Sequence, residues 1–322
     1  MNLLLVGGAG YIGSHTAFLA SQQGHNVFIA DNLSLGHTWA CQYGNLIPAD
    51  THQQKQIQSI LKEHKIDVVV HFANAAYVGE SVANPAKYFY QNVAGTVSLL
   101  NAMVDAGVKN LVFASSCTVY GLPLELPITE STPTNPISPY GLSKYQIEQL
   151  LPWYEKAYGL SYVSLRFFNA AGSAYLAGLG ESHTPETHLI PNVILTALSK
   201  QENISIFGDD YATPDGTAIR EYVHVMDLAD GCIKASEYLF NGGASEICNL
   251  ATGQGYSILE IIREVERQTG KPVNYQFAQR REGDPPALFA SGQKAQRILN
   301  WIPYHSGLEE IISSAIAWHL KI

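Results

Sequence analysis

Charge is scarce in this chain. Asp, Glu, Lys and Arg make up 15% of its 322 residues, and 19 basic residues stand against 28 acidic ones, for a net charge of −9. That balance argues against nucleic acid or an anionic membrane as a main partner. A small anionic substrate can still meet a local pair of arginines. Cysteine is scarce too. Cys41, Cys117, Cys232 and Cys248 form no C-x-x-C pair, which excludes a zinc ribbon or a disulfide framework and reads as separate reduced thiols of a cytoplasmic protein. No uncharged run of 18 apolar residues is present, so no membrane span is expected. The start of the chain has no basic segment and its apolar run is too short for a signal peptide. Internal repeats and low-complexity linkers are also lacking. What remains is a chain that is 46% hydrophobic, long enough for about two domains or lobes.

The first thirteen residues organise the rest. Leu3-Leu4-Leu5-Val6 suits a strand buried on both faces. Gly7-Gly8-Ala9-Gly10-Tyr11-Ile12-Gly13 follows, and a helical pattern runs from Tyr11 to Gln23. Such a turn lets backbone N–H groups approach a diphosphate at the helix start, where the helix dipole favours it. Val27 to Ala30 makes a second strand ending in Asp31, placed to accept from a ribose hydroxyl pair and to repel a 2′-phosphate. The pattern predicts a dinucleotide site that prefers NAD to NADP.

Strands and helices then alternate as in a parallel sheet with crossover helices. Strands are expected at 45–50, 67–73, 110–116 and 161–166, with helices at 51–65, 86–106 and 140–158. The fold class is α/β: a Rossmann-type doubly wound parallel sheet with a smaller C-terminal α/β lobe. The sheet domain is expected over 1–170, with 223–240 returning to it, and the second lobe over 171–322; a single cut should not separate them. In the second half, a loop is expected at 170–187, a helix at 189–200, a strand at 204–208, a turn-rich loop at 209–216, and amphipathic helices at 258–270 and 308–319.

Tyr140 and Lys144 stand four residues apart within Tyr140-Gly141-Leu142-Ser143-Lys144, so they share one helix face. A lysine ammonium beside a phenol favours the phenolate, and such a tyrosine can take a proton from a substrate hydroxyl and return it. Ser116, at a strand end, can hydrogen-bond the same oxygen. His71 reads as a structural histidine at a strand end.

These stretches resemble the extended short-chain dehydrogenase/reductase family and, within it, the UDP-glucose 4-epimerases. The resemblance rests also on His71-Phe72-Ala73, Val78-Gly79-Glu80-Ser81-Val82, Leu165-Arg166-Phe167-Phe168-Asn169, Asp215-Gly216-Thr217, Arg220 to Ala229 and Arg281-Glu282-Gly283-Asp284. It implies a cycle in which Tyr140 deprotonates the sugar C4 hydroxyl, hydride passes to NAD, the 4-keto sugar turns over, and hydride returns to the other face. It implies NAD contacts from Gly7, Gly10, Tyr11, Ile12, Gly13, Asp31, Asn32, Ser34, Asp50, Phe72, Ala73, Asn92, Ser115, Tyr140, Lys144 and Phe168. It implies contacts to a UDP-sugar from Ser116, Thr118, Asn169, His188, Leu189, Ser205, Ile206, Phe207, Arg220, Arg281, Asp284 and Leu288. Paired arginines suit a diphosphate. A cytoplasmic homodimer using helices 86–106 and 140–158 is implied as well, with no bound metal.

Departures concern cofactor tightness and substrate range. Ala76 stands where the family often has lysine, Gln91-Asn92 where an asparagine pair is common, and His188 where asparagine is frequent. Leu288 replaces a frequent tyrosine, and a smaller residue there implies room for N-acetylated sugars. Three other readings compete with this one. A 4-epimerase of a UDP-pentose or UDP-uronate uses the same C4 chemistry and stays open. A nucleotide-sugar 4,6-dehydratase typically carries an acidic pair after the fifth strand, where this chain has Cys117-Thr118-Val119-Tyr120. A non-catalytic dinucleotide sensor has no reason to keep Tyr140, Lys144 and Ser116 together.

Overall fold

The computed structural model describes residues 1–281 and 283–321; Glu282 of the arginine-bearing motif lies outside the described residues. In chain order, β1 (Asn2–Val6), α1 (Tyr11–Gln22), β2 (Asn26–Asp31), β3 (Asn45–Pro48), α2 (Gln54–Glu63) and β4 (Val68–His71) open the molecule. Two short helices, α3 (Val78–Ala83) and α4 (Pro85–Tyr88), lead through a π-helical turn at Phe89–Ala94 into α5 (Gly95–Ala106). Then come β5 (Asn110–Ser116), α6 (Pro139–Tyr158) and β6 (Ser161–Phe167).

The remainder consists of β7 (Asn169–Ala171), α7 (Leu189–Ala197), β8 (Ile204–Phe207), β9 (Ile219–Arg220), β10 (Tyr222–His224), α8 (Val225–Phe240), β11 (Glu246–Leu250), β12 (Tyr256–Ser257), α9 (Ile258–Thr269), β13 (Tyr275–Ala278), β14 (Ala287–Leu288), α10 (Gln293–Leu299) and α11 (Leu308–His319).

Seven parallel strands form the main sheet in the order β11-β6-β5-β4-β1-β2-β3. Side chains alternate between its two faces. Leu3, Leu5, Val68 and Val70 pack into one core, with Leu228 and Cys232 of α8; Leu4, Val69, Leu111 and Phe113 pack into the other, with Ile57 of α2 and Leu99 of α5. Each fully buried aliphatic side chain stabilises the fold by about 1.5–3 kcal/mol. This is the doubly wound arrangement, with helices on both faces.

Local chemistry sets the ends of the elements near the site. Gly7 has φ +82°, and a Cβ there would fall 2.4 Å from the Ala73 nitrogen, so the β1 turn lies directly on the end of β4. At Gly13 a Cβ would meet the Gly7 carbonyl oxygen at 2.6 Å, so α1 packs down on its own turn. Helix α6 begins at Ser138, whose hydroxyl accepts from Gly141 N–H at 3.1 Å, with Pro139 at the first helical position.

Two sequence expectations are corrected. The single helix over 86–106 is interrupted by the π-helical turn, which directs the Asn92 side chain inward. And besides the returning segment, in which α8 packs on α1, β11 pairs with β6 and supplies the seventh strand. The second half is otherwise built from a three-stranded sheet, β12-β9-β14, and two-stranded ones, β10-β7 and β13-β8. A third core joins α7, α9 and α11 through Ile194, Ile261 and Ile311. Among the described residues no helix is long and apolar enough to cross a membrane.

Candidate active site

The carboxyl ends of the main-sheet strands form the rim on which most of the expected residues meet. Gly10 caps α1 in an extended conformation, and among the described residues no side chain caps that helix, so its first N–H groups remain available to an anion. A Cβ at Gly10 would meet nothing nearer than the Gly7 oxygen at 3.5 Å, so the cradle is open on that side. Asp31 is buried at the end of β2. Its carboxylate accepts from Ala9 N–H at 2.9 Å and Leu33 N–H at 2.8 Å, leaving further lone pairs for hydroxyls.

Beside it, Asn32 donates to Asp50 at 2.9 Å and accepts from Ser34 N–H at 3.0 Å. Burial raises the Asp50 pKa, but hydrogen bonds from His52 N–H and Asn32 outweigh it and hold the carboxylate below its usual range. Phe72 and Ala73 both donate their N–H groups to the Val6 carbonyl, at 2.7 and 2.9 Å. Phe168 is buried between β6 and β7. A start of α1 free to bind anions, an open glycine cradle and a buried carboxylate at the second strand end fit a dinucleotide with a free ribose diol.

The chemical group lies at the ends of β5 and α6. Ser116 Oγ accepts from Thr118 N–H at 3.2 Å and Thr118 Oγ1 at 2.9 Å, which leaves its own hydrogen free to donate toward Tyr140. Burial pushes the Tyr140 phenol up to about 12, with the Ser116 hydroxyl pulling the other way. Lys144 is 3% exposed and lies with Nζ 5.8 Å from the centre of the Tyr140 ring. Its ammonium donates to the Ala114 carbonyl at 2.6 Å. Burial draws it down to about 7, and Glu148 opposes that shift. In the protein by itself burial outweighs Lys144, and the phenol needs further positive charge to ionise near neutrality.

Three expected contacts have other partners. Ser115 Oγ donates to Glu148 at 2.7 Å and is buried among protein groups. Asn92 donates to the Ala75 carbonyl and Ser143 Oγ, at 3.1 and 2.9 Å, and accepts from Ala75 N–H at 2.8 Å, so it positions the 73–77 segment against α6. Ile206 is buried in the third core. Ala76 is exposed, and His71, buried against Thr96 at 2.9 Å, is held neutral by burial and by Lys144, down to about 3.

The second half contributes polar groups across from this rim. Arg220 pairs with Asp284 and donates to its neighbour's carbonyl, Ile219 O, at 2.7 Å. Arg281 stacks over the Phe207 ring at 4.0 Å. Asn169 donates to the Glu221 carbonyl at 2.7 Å. Ser205 is exposed on β8. Leu288 is half-buried on β14, opposite Arg220 in register, and packs against the first core. Leu189 opens α7 behind His188, which accompanies Glu186 at 2.9 Å.

The sequence reading missed the group beneath Lys144. Glu148 receives Arg166 through two hydrogen bonds, at 3.0 and 2.6 Å, and Ser164 at 3.0 Å, all buried. The signal was available: Glu148 follows Lys144 by four residues, on the same helix face.

Known proteins share this arrangement. The model of the NAD dependent epimerase/dehydratase family matches residues 3–251. A UDP-glucose 4-epimerase of Halalkalibacterium halodurans is 46% identical over 319 residues, 99% of this chain and 96% of that protein. The crystal structure of UDP-glucose 4-epimerase from Brucella ovis in complex with NAD superposes with a TM-score of 0.96 at 46% identity, covering 98% of this chain and 97% of the other. That of the Bifidobacterium longum enzyme in complex with NAD+ and UDP does so with a TM-score of 0.94 at 36% identity, covering 100% and 98%. By sequence along its whole length and by fold, this chain belongs to the NAD dependent epimerase/dehydratase family.

Proposed function

We propose that this chain is an NAD-dependent 4-epimerase of UDP-hexoses that interconverts UDP-galactose and UDP-glucose. The observation that carries the reading is the meeting of Ser116, Tyr140 and Lys144 on the cofactor rim; Arg220 and Arg281 of the second half would supply the cations for a diphosphate. The Gly7–Gly13 turn, Asp31, Asn32, Ser34, Asp50, Phe72, Ala73 and Phe168 would hold NAD. When bound, NAD supplies a reversible hydride acceptor, and its cationic ring adds the positive charge that brings the Tyr140 phenol down from about 12.

Tyr140 takes the proton of the sugar C4 hydroxyl at its phenolic oxygen. Ser116 donates a hydrogen bond to that same C4 oxygen and holds it in line. Lys144, charged on the acid side of about 7, favours the phenolate while its ammonium stays fixed on the Ala114 carbonyl. Arg220 and Arg281 bind the diphosphate as charge-assisted partners while the 4-keto sugar turns. Tyr140 then returns its proton, and the cycle is redox-neutral.

The test is incubation of the purified chain with UDP-galactose and chromatographic separation of the products. UDP-glucose is expected; a 4-keto-6-deoxy sugar would make it a dehydratase, and no turnover of any UDP-sugar would make it a sensor. Leu288 favours a wider range that includes UDP-N-acetylhexosamines, because an acetamido group needs space that a tyrosine ring there would fill. The UDP-Glc/GlcNAc 4-epimerase of Campylobacter jejuni, 33% identical with a TM-score of 0.87, supports that breadth. Leu288→Tyr is expected to lower kcat/KM for UDP-N-acetylgalactosamine at least tenfold more than for UDP-galactose, and an unchanged ratio removes Leu288 from the site.

Further parts of the reading concern organisation. The cofactor domain spans 1–170 with later segments returning to it, and 171–322 forms the sugar-binding lobe. A homodimer is supported by Trp153, Tyr158 and Leu142, large apolar side chains exposed on α6. Four buried free cysteines support a reducing, cytoplasmic location.

A further inference from the structure

Between the start of α1 and the start of α7, one short segment brings Glu181, His183, Glu186 and His188 together. Their four ligand atoms lie within 4.8 Å of one another. We propose that these four side chains form a binding site for a single divalent transition-metal ion, with Zn²⁺ the cation that fits best. The inference does not rest on the epimerase reading, although that reading also expects His188 at the UDP-sugar and Tyr11 at NAD.

His188 Nδ1 is 2.8 Å from Glu181 and 2.9 Å from Glu186; His183 Nδ1 is 3.2 Å from Glu181 and 3.6 Å from Glu186. Ligand atoms held at about 2.0–2.2 Å around a tetrahedral zinc stand roughly 3.3–3.6 Å apart. The His–Glu distances of 2.8–3.6 Å bracket that spacing and every ligand pair lies within 4.8 Å, so side-chain shifts complete the site.

His183 Nδ1 is buried and, among the described residues, makes no directed hydrogen bond, although two carboxylates stand close to it. A ring nitrogen that bonds a shared central ion points past its neighbouring carboxylate oxygens, because the ion lies at the corner between them. An ordinary imidazole–carboxylate pair points the N–H at the oxygen, as His188 does toward Glu186; His183 departs from that geometry.

Charge and support agree. Two carboxylates exclude an anionic ligand and balance a divalent cation, which removes the cost of burying Glu181, only 5% exposed. Two imidazoles select against Mg²⁺ and Ca²⁺, which prefer oxygen ligands. The backbone is fixed from outside: Trp318 donates to the Glu181 carbonyl at 2.7 Å, and His37 Nε2 lies 2.9 Å from the Ser182 carbonyl. The Tyr11 and Tyr77 rings stand edge-to-face against His183 at 6.3 and 6.1 Å. The ligands thus rest on a rigid outer layer of the kind that orients metal sites. An ion here would join the loop before α7 into a closed ring beside the cofactor helix.

The deciding experiment uses the full chain, treated with chelator, dialysed and titrated with ZnCl2, with bound metal measured by mass spectrometry and the unfolding temperature by scanning calorimetry. One zinc per chain and a rise in unfolding temperature are expected, neither reversed by millimolar Mg²⁺. X-ray absorption of the loaded protein should show nitrogen and oxygen ligands without sulfur. Glu181→Gln and His183→Asn should each weaken zinc binding at least tenfold, and the double variant should bind none. Should a variant fold poorly, the wild-type titration and spectrum still decide. Zinc uptake equal to that of the double variant, an unfolding temperature that zinc leaves unchanged, or sulfur ligation overturns the proposal.

Discussion

The two halves of this molecule divide both their construction and their work. The first is held by strand ladders and by side chains alternating between two cores, and its strand ends carry Ser116 and, nearby, Tyr140 and Lys144. The second has short strands and depends on buried carboxylates that fasten loops. Glu221 accepts from Thr252 N–H, Thr252 Oγ1, Gly253 N–H and Ala290 N–H, and Asp227 accepts from Tyr304 and His305 N–H. Its proposed contribution to the site is Arg220, Arg281 and Leu288. On the proposed function, regular backbone would fix the proton-transfer group and irregular backbone the groups that hold the substrate. Changes in the first half should therefore act on kcat, and changes in the second on KM and stability.

The largest expected effect is at Tyr140. Tyr140→Phe keeps the ring and removes the proton-transfer oxygen, so kcat should fall by roughly 10²–10⁴-fold with KM little changed. Steady-state kinetics checks this, and near-normal turnover would break the division. Next is Glu221→Ala. It strands several donors, each costing about 1–3 kcal/mol when buried without a partner. Stability should drop by at least about 3 kcal/mol, a fall in unfolding temperature of roughly 4–5 °C or more for a chain of this size, seen by calorimetry.

Arg281→Ala should raise KM about tenfold or more, the worth of a charge-assisted hydrogen bond of about 1.5–3 kcal/mol, while kcat moves less. A kcat loss as large as that of Tyr140→Phe would blur the two roles. The seam between the halves should show in the response to acid. His15 on α1 accepts from Ala174 N–H at 3.1 Å and faces the Tyr11 carbonyl at 2.7 Å, so its neutral tautomer is fixed. His224 accepts from Met226 N–H at 3.1 Å, and its other nitrogen faces Ser314 at 3.0 Å. Burial lowers them to about 4 and about 3. Both folded values lie below the ordinary 6.5, so the unfolded chain takes up these protons first and stability falls as pH drops below about 6.5. Urea unfolding between pH 7 and 4.5 should show that slope, and His15→Gln should flatten it by about one proton.

What could be read in the sequence follows the same division. β1, β2 and β4 were legible because each is built on a continuous apolar run, and α6 because Gly159, with φ +66°, ends it. Ser115 was expected at NAD and Ser116 at the substrate; neighbours on a strand face opposite ways, and Ser115 goes to Glu148. The helix over 86–106 hid a π-helical turn, since the hydrophobic period does not register one extra residue in a turn. Strand β11 was missed because Glu246-Ile247-Cys248-Asn249-Leu250 is short and half polar, and its partner β6 is remote in sequence. Among the site residues, the Tyr140/Lys144 spacing was plain, but the pull of burial on each group depends on surroundings that no local pattern encodes.

Strand β11 has one more consequence. During synthesis the sheet grows outward to β6 and then waits, because the strand that covers β6 emerges only after β7, α7 and the three strands and long helix that follow. Through that interval the edge of β6 presents unpaired amides and carbonyls to any other chain that passes. A nascent or truncated chain ending before residue 246 is therefore adhesive, and the same sequence a few residues longer is closed.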